Sequence, residues 1–227
     1  MLVIIGILAF AVVLFGPNLW VSYVLKKYNK TPEANFPGTG GELARHLLNK
    51  FDLNDVQVVI TEHGDHYNPI DRSVALTEDK YNGRTLAAIV IAAHECGHAI
   101  QHARREPFFL LRHRLAQSSQ TAQLIGSALL ALSPFIGGFT LSPHLGLFSL
   151  LGAFLVLGYG VVIQLVTLPV EFDASFNKAL PLLASGYLST EQLKPSKTIL
   201  RAAALTYVAG TLFQLLNFWR WLVILRR

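Results

Sequence analysis

Four long apolar stretches constrain this chain more than anything else in it. Residues 2–25 carry no charge before Lys26 and Lys27, with Pro17 marking a kink. Residues 122–142 form a second stretch, containing Ser133, Pro134 and Gly137, and residues 146–170 a third. A fourth covers 202–225 and is interrupted by Asn217 and Arg220. About 20 apolar residues suffice to cross the hydrocarbon core of a bilayer, so each stretch reads as a membrane segment. A cleaved signal peptide competes for the first, but it would need a basic start and a small-residue cleavage site, and neither is present. Only 15% of the residues are charged, against roughly 25% in average soluble domains. The expectation is a mainly α integral membrane protein, a helical bundle of about four membrane segments with the lipid bilayer as its partner.

Charge then orients that bundle. Residues 26–121 hold twelve Lys and Arg, from Lys26 to Arg114; residues 143–145 hold none, and 171–201 hold Lys178, Lys194, Lys197 and Arg201. The positive-inside rule places both large loops in the cytoplasm and the N-terminus outside. Arg226 and Arg227 object, unless 202–225 is re-entrant. The domain plan is thus an N-terminal segment 1–25, a cytoplasmic domain 26–121, two membrane helices in 122–170, a cytoplasmic segment 171–201 and a last membrane segment 202–227. The net charge of +5 is explained by basic loops facing anionic lipid, and nucleic acid is not expected as a partner. The single cysteine, Cys96, excludes a disulfide scaffold.

Within 26–121 the pattern is mixed. Residues 29–40 are rich in Pro and Gly and read as a linker. The Gly-Thr-Gly-Gly at 38–41 is a helix start rather than a phosphate loop, because no Lys-Ser/Thr follows it. Leu43, Leu47 and Leu48 give helical spacing across 41–51. Val56–Thr61 and Ser73–Thr77 are β-branched runs that read as paired strands, with a polar turn, Glu62 to Pro69, between them. A helix is expected from Arg84 to Arg104, starting near Asn82 or Gly83. Residues 107–121 mix Phe108, Phe109, Leu110 and Leu111 with Arg112 and Arg114, which suits a helix lying at the interface.

That long helix carries His94-Glu95-Cys96-Gly97-His98, an HExxH. Residues four apart share a helix face, so both imidazoles can point at one metal ion. Zinc suits neutral imidazole, and a catalytic zinc takes three protein ligands and a water. Glu95 beside that water is placed to accept its proton. Two solvated histidines and a surface Glu are the bland alternative, but chance supplies this pattern in a chain of this composition only about once in a hundred. His102 lies about 12 Å along the helix from His94 and cannot join the same tetrahedral site; a hydrogen bond or simple exposure is its expected role. Glu171 and Asp173 follow the third apolar stretch, where charged groups are costly without a purpose. Two crossings separate His98 from Glu171 and return both to one membrane face. The expected site is one zinc ion per chain on His94, His98 and Glu171, with Asp173 orienting an imidazole. Asp173 as the ligand remains the alternative, because residues two apart face different ways. The fold expectation is completed by a small α+β zincin-like cytoplasmic domain carrying the HExxH.

The chain also resembles the YugP-type membrane-bound neutral zinc metallopeptidases of bacteria. The resemblance runs through Gly38–Arg45, Asp65-His66-Tyr67-Asn68-Pro69, Tyr81–Arg84, Ala92–Gln101, Pro169–Ser175 and Ala202–Val208. It implies an inner-membrane zinc peptidase acting on polypeptides at the cytoplasmic face, similar in plan to HtpX-like and CAAX-prenyl-protease gluzincins. Two departures stand out. Cys96 replaces a small aliphatic residue, and Ser175 occupies the place four residues after Glu171 where gluzincins commonly carry Asp.

Weaker candidates remain. His66 and Tyr67 are expected to hydrogen-bond the oxyanion, in competition with Tyr81 and Tyr187. His63 and His66 offer a second metal site. Cys96 as a nucleophile would need an activated thiolate. Arg220 is expected to snorkel or to pair within the bundle. The strand at 73–77 offers an edge to an extended peptide. The leading function is a zinc endopeptidase with Glu95 as general base. The rivals are a site-2-type intramembrane protease and a non-enzymatic membrane adaptor with a structural zinc.

Overall fold

A computed structural model describes residues 2–30, 36–139 and 143–225. Residues 31–35 of the expected linker, the end of the second apolar stretch at 140–142, and Arg226 and Arg227 lie outside the described residues, as do the side chains of Asn217 and Arg220. The chain is mainly helical with one small sheet. The elements are α1 (Leu2–Asn29), α2 (Gly40–Lys50), β1 (Gln57–Ile60), β2 (His66–Asn68), β3 (Ser73–Leu76), α3 (Glu78–Tyr81), α4 (Leu86–Ala103), α5 (Pro107–Phe139), α6 (Pro143–Phe172), a π-helical segment (Asp173–Ala179), α7 (Leu180–Ala184) and α8 (Thr190–Leu225).

The expected membrane bundle is not borne out. Among the described residues no helix is long and apolar enough to cross a membrane. Crossing needs about 20 predominantly apolar residues in a row, and no helix meets that requirement over its described residues. The orientation drawn from loop charge, and the multi-pass topology with it, falls for the same reason. Residues 107–121, expected as an interfacial helix, form the first part of α5.

Two compact units result. One comprises residues 1–110 and 168–209, the other 111–167 and 210–227. In the second unit, the Ser118 hydroxyl bonds the Tyr159 hydroxyl at 2.5 Å, and that hydroxyl reaches the Leu115 carbonyl at 3.2 Å, tying α5 to α6.

The first unit is built around α4. Its start is fixed by Thr85, whose side chain accepts from the Ala88 N–H, so the helix begins two residues later than Arg84. Residues Leu86 to Gln101 are buried without interruption, which makes α4 a central rather than an amphipathic helix. Beside it, α2 starts with a full capping box, in which Thr39 and Glu42 satisfy each other's backbone N–H groups. Leu43, Ala44, Leu47 and Leu48 of α2 face the core. Gly40 is required by close approach, since a Cβ there would stand 2.3 Å from the Lys80 carbonyl.

The sheet has the order β1-β3-β2, with β1 parallel and β2 antiparallel to β3. The expected pairing of 56–61 with 73–77 holds, in the register Gln57 to Ser73 through Ile60 to Leu76. Two details differ. The polar turn contains a third strand, because His66–Asn68 pairs with Ser73–Ala75. β3 is therefore the central strand, buried at all four residues and paired on both sides. It offers no edge to a peptide; the edges belong to β1 and β2.

Candidate metal centre

The three expected ligands meet. His94 Nε2 and His98 Nε2 each lie 3.3 Å from Glu171 Oε2, and one ligand atom from each residue falls within 4.8 Å of the others. All three are buried, Glu171 completely. The two imidazoles stand edge to face with centroids 4.8 Å apart, as one turn of helix dictates. What brings Glu171 to them is direct helix packing. Gly97 lies against the backbone of Ala174, where a Cβ would come within 2.9 Å of the Ala174 carbonyl. The meeting expected from topology thus has helix packing as its visible cause.

The donor set fits zinc. Two imidazole nitrogens and one carboxylate converge, and among the described residues no fourth His, Cys, Asp or Glu joins them. That is the three-ligand pattern of an open catalytic site. The far side of each ring is also held. His98 Nδ1 pairs with Gln101 Oε1 at 2.9 Å, and His94 Nδ1 with Ser175 Oγ at 3.1 Å. With Nδ1 engaged outward, Nε2 is the atom left facing the centre. Burial works against an ionised Glu171. The imidazoles of His98 and His94 facing it outweigh burial and hold the carboxyl well below its ordinary value.

The alternative of Asp173 as ligand does not match this geometry. Asp173 points to the other side of the π-helical segment, where it accepts from Gln101 Nε2 at 2.8 Å, from Asn177 Nδ2 at 2.9 Å and from Lys178 Nζ. It meets no imidazole directly, and Gln101 stands between it and His98. Asp173 and Lys178 are five residues apart and face each other because π-helical bonding stacks i over i+5. Burial raises the Asp173 carboxyl, but the bonds from Lys178, Gln101 and Asn177 prevail and hold it at about 2. Lys178 is itself buried and also pairs with Glu106 at 2.9 Å.

Glu95 is buried beside His94 on α4. His66 is not brought into the cluster: it lies on β2 with Nδ1 on the Gly64 carbonyl at 2.8 Å. Tyr67 instead pairs its hydroxyl with His102 Nδ1 at 2.9 Å, giving His102 the hydrogen bond expected of it. Phe109 stacks on His102 and tilts toward His98. His63 and His66 form no second metal group among the described residues. Tyr187 bonds His46 at 2.7 Å, and the Tyr81 ring lies over Gly41. Cys96 is fully buried, with its thiol on the Ala44 carbonyl at 3.6 Å; burial first, and the Glu95 charge second, push its pKa far up. An inert packing residue results, not a nucleophile.

Gln101, Ser175 and Lys178 escaped the sequence reading as functional residues. Gln101 at i+3 from His98 and Ser175 at i+4 from Glu171 were discoverable from helical spacing alone. The π-helical register that brings in Lys178 was not.

A buried His-His-Glu cluster with an HExxH helix defines a candidate metallopeptidase centre. The comparison with known proteins makes the class definite: the chain belongs to a family described as "putative neutral zinc metallopeptidase", whose match spans residues 2–226. It is also 36% identical over 216 residues, 92% of each chain, to the "putative membrane protease YugP" of Bacillus subtilis (strain 168). No solved structure matches.

Proposed function

We propose that the protein is a zinc-dependent endopeptidase, with one zinc per chain held by His94, His98 and Glu171 and with Glu95 as general base. The observation that carries this reading is the convergence of three buried ligand atoms next to Glu95. Zinc bound there supplies a Lewis acid for the scissile carbonyl and lowers the pKa of a water toward 7. Glu95 accepts the proton of the attacking water and passes it to the leaving amine. The buried position of the cluster limits competing solvent and strengthens each charge–charge interaction. Extended peptide is held at the free edge of β2. That strand is joined to the histidine end of α4 by the Tyr67–His102 bond, and edge pairing gives affinity through main-chain hydrogen bonds. His66 on that edge contacts substrate rather than metal.

A structural zinc would call for four protein ligands, and the described residues supply three. The bilayer-embedded protease finds no support among the described residues, where no helix is long and apolar enough to cross a membrane. The test is a pair of measurements on the full-length protein. Glu95→Gln is expected to retain stoichiometric zinc while cleavage of a casein-like substrate falls by about 10²–10⁴-fold. Full proteolysis by that variant would remove Glu95 from the mechanism.

A further inference from the structure

We infer that Gln101 is a positioning residue that sets the tautomer of His98 and locks the helix bearing the two histidines to the segment bearing Glu171. The inference rests on the zinc reading above and adds a residue to it.

Gln101 is 1% exposed and uses its amide in three directions. Its Nε2 donates to the Val170 carbonyl at 2.9 Å and to Asp173 Oδ2 at 2.8 Å. The Val170 carbonyl can only accept. The Asp173 carboxylate is held as an acceptor by two further donors, Lys178 Nζ and Asn177 Nδ2. Turning the amide over would set oxygen against oxygen twice, so Nε2 must face these two groups and Oε1 must face His98. Oε1 only accepts, so His98 Nδ1 must carry the proton of that 2.9 Å bond. A neutral imidazole protonated at Nδ1 keeps its lone pair on Nε2, the atom that faces Glu171. The donor-only Lys178 ammonium, itself anchored on Glu106 at 2.9 Å, closes the far end of the chain. Every link between Lys178 and His98 therefore has one possible direction.

The bond to Val170 has a mechanical consequence as well. Val170 precedes Glu171, so one side chain of α4 grips the backbone next to the third ligand. Rotation of His98 and displacement of Glu171 are opposed by the same amide. Ser175 behind His94 lacks this directionality, because a hydroxyl both donates and accepts.

The experiment is chelator competition for zinc on full-length protein, with the visible spectrum of the cobalt-substituted form as a readout of coordination geometry and the thermal midpoint of the metal-free form as a folding control. Gln101→Met, close in volume and without polar atoms, is expected to weaken zinc by about 10- to 100-fold and to alter the cobalt spectrum. Asp173→Asn leaves the Val170 carbonyl alone to orient the amide and is expected to weaken zinc by about three- to tenfold. In the Gln101→Glu/Asp173→Asn double variant the introduced carboxylate accepts from His98 and the introduced amide donates to it, and zinc affinity is expected to exceed that of Gln101→Glu alone. Wild-type protein that binds no zinc would overturn the metal reading and this inference together. Wild-type protein that binds zinc while Gln101→Met binds it equally would overturn this inference alone. If Gln101→Met does not fold, the Asp173→Asn and double variants decide: equal affinity in wild type and Asp173→Asn, or no recovery in the double variant, overturns the role.

Discussion

His98 and His94 stand one helical turn apart and face the same carboxylate at the same 3.3 Å, yet they are backed by different chemistry. Behind His98 lies an amide whose direction is dictated by groups that can only accept or only donate. Behind His94 lies one serine hydroxyl, at the position where gluzincins commonly place an aspartate. Two ligands with the same inward geometry thus differ in how firmly their protons are placed. An acceptor becomes directional only when its own donors are fixed, and a hydroxyl that rotates fixes nothing by itself.

The largest effects are those that ignore this difference. His94→Ala and His98→Ala should each abolish stoichiometric zinc, which elemental analysis of purified protein will show; retention of full zinc by either would break the three-ligand site. Gly97→Ala comes next. Its methyl group would meet the Ala174 carbonyl at 2.9 Å and force α4 away from the π-helical segment. A destabilisation of about 1–3 kcal/mol in denaturant melts is expected, with weaker zinc. Ser175→Ala sharpens the comparison directly. It should weaken zinc by less than about threefold, against the larger loss for Gln101→Met, and equal losses would show that the two backings are equivalent.

A smaller effect depends on pH. The Asp173 carboxyl is held at about 2, below its ordinary 3.8. A depressed carboxylate contributes stability that is present above the unfolded value and lost as pH falls through the folded one. The stability gap between wild type and Asp173→Asn, measured by urea melts of the metal-free protein, should be full above pH 4 and close as pH approaches 2. A gap independent of pH would detach Asp173 from the Lys178 pairing. Smallest of all, Cys96→Ala should leave cleavage unchanged, since its buried thiol is turned to the Ala44 carbonyl.

The sequence carried the α4 helix, the pairing of 56–61 with 73–77 and the grouping of His94 and His98 with Glu171. Each follows from a short-range period or from a demanding residue set such as HExxH. The four apolar stretches expected to cross a bilayer are not borne out, since among the described residues no helix is long and apolar enough to do so. The sequence missed β2 because three residues, His66 to Asn68, have no β-branched signature and become a strand only by pairing with β3.

What the sequence determined alone is local: the spacing of His94, Glu95 and His98 fixes two imidazoles and a carboxyl group on one helix, whatever surrounds them. What the tertiary structure decided is which acidic group completes the site and how its histidines are held. Glu171 rather than Asp173 faces the histidines because Gly97 admits the Ala174 backbone and sets the rotation of that segment. The Lys178-to-His98 chain exists only where a π-helical turn and the end of α4 come together. Such contacts depend on packing across some 70 residues of chain, and no periodicity encodes them.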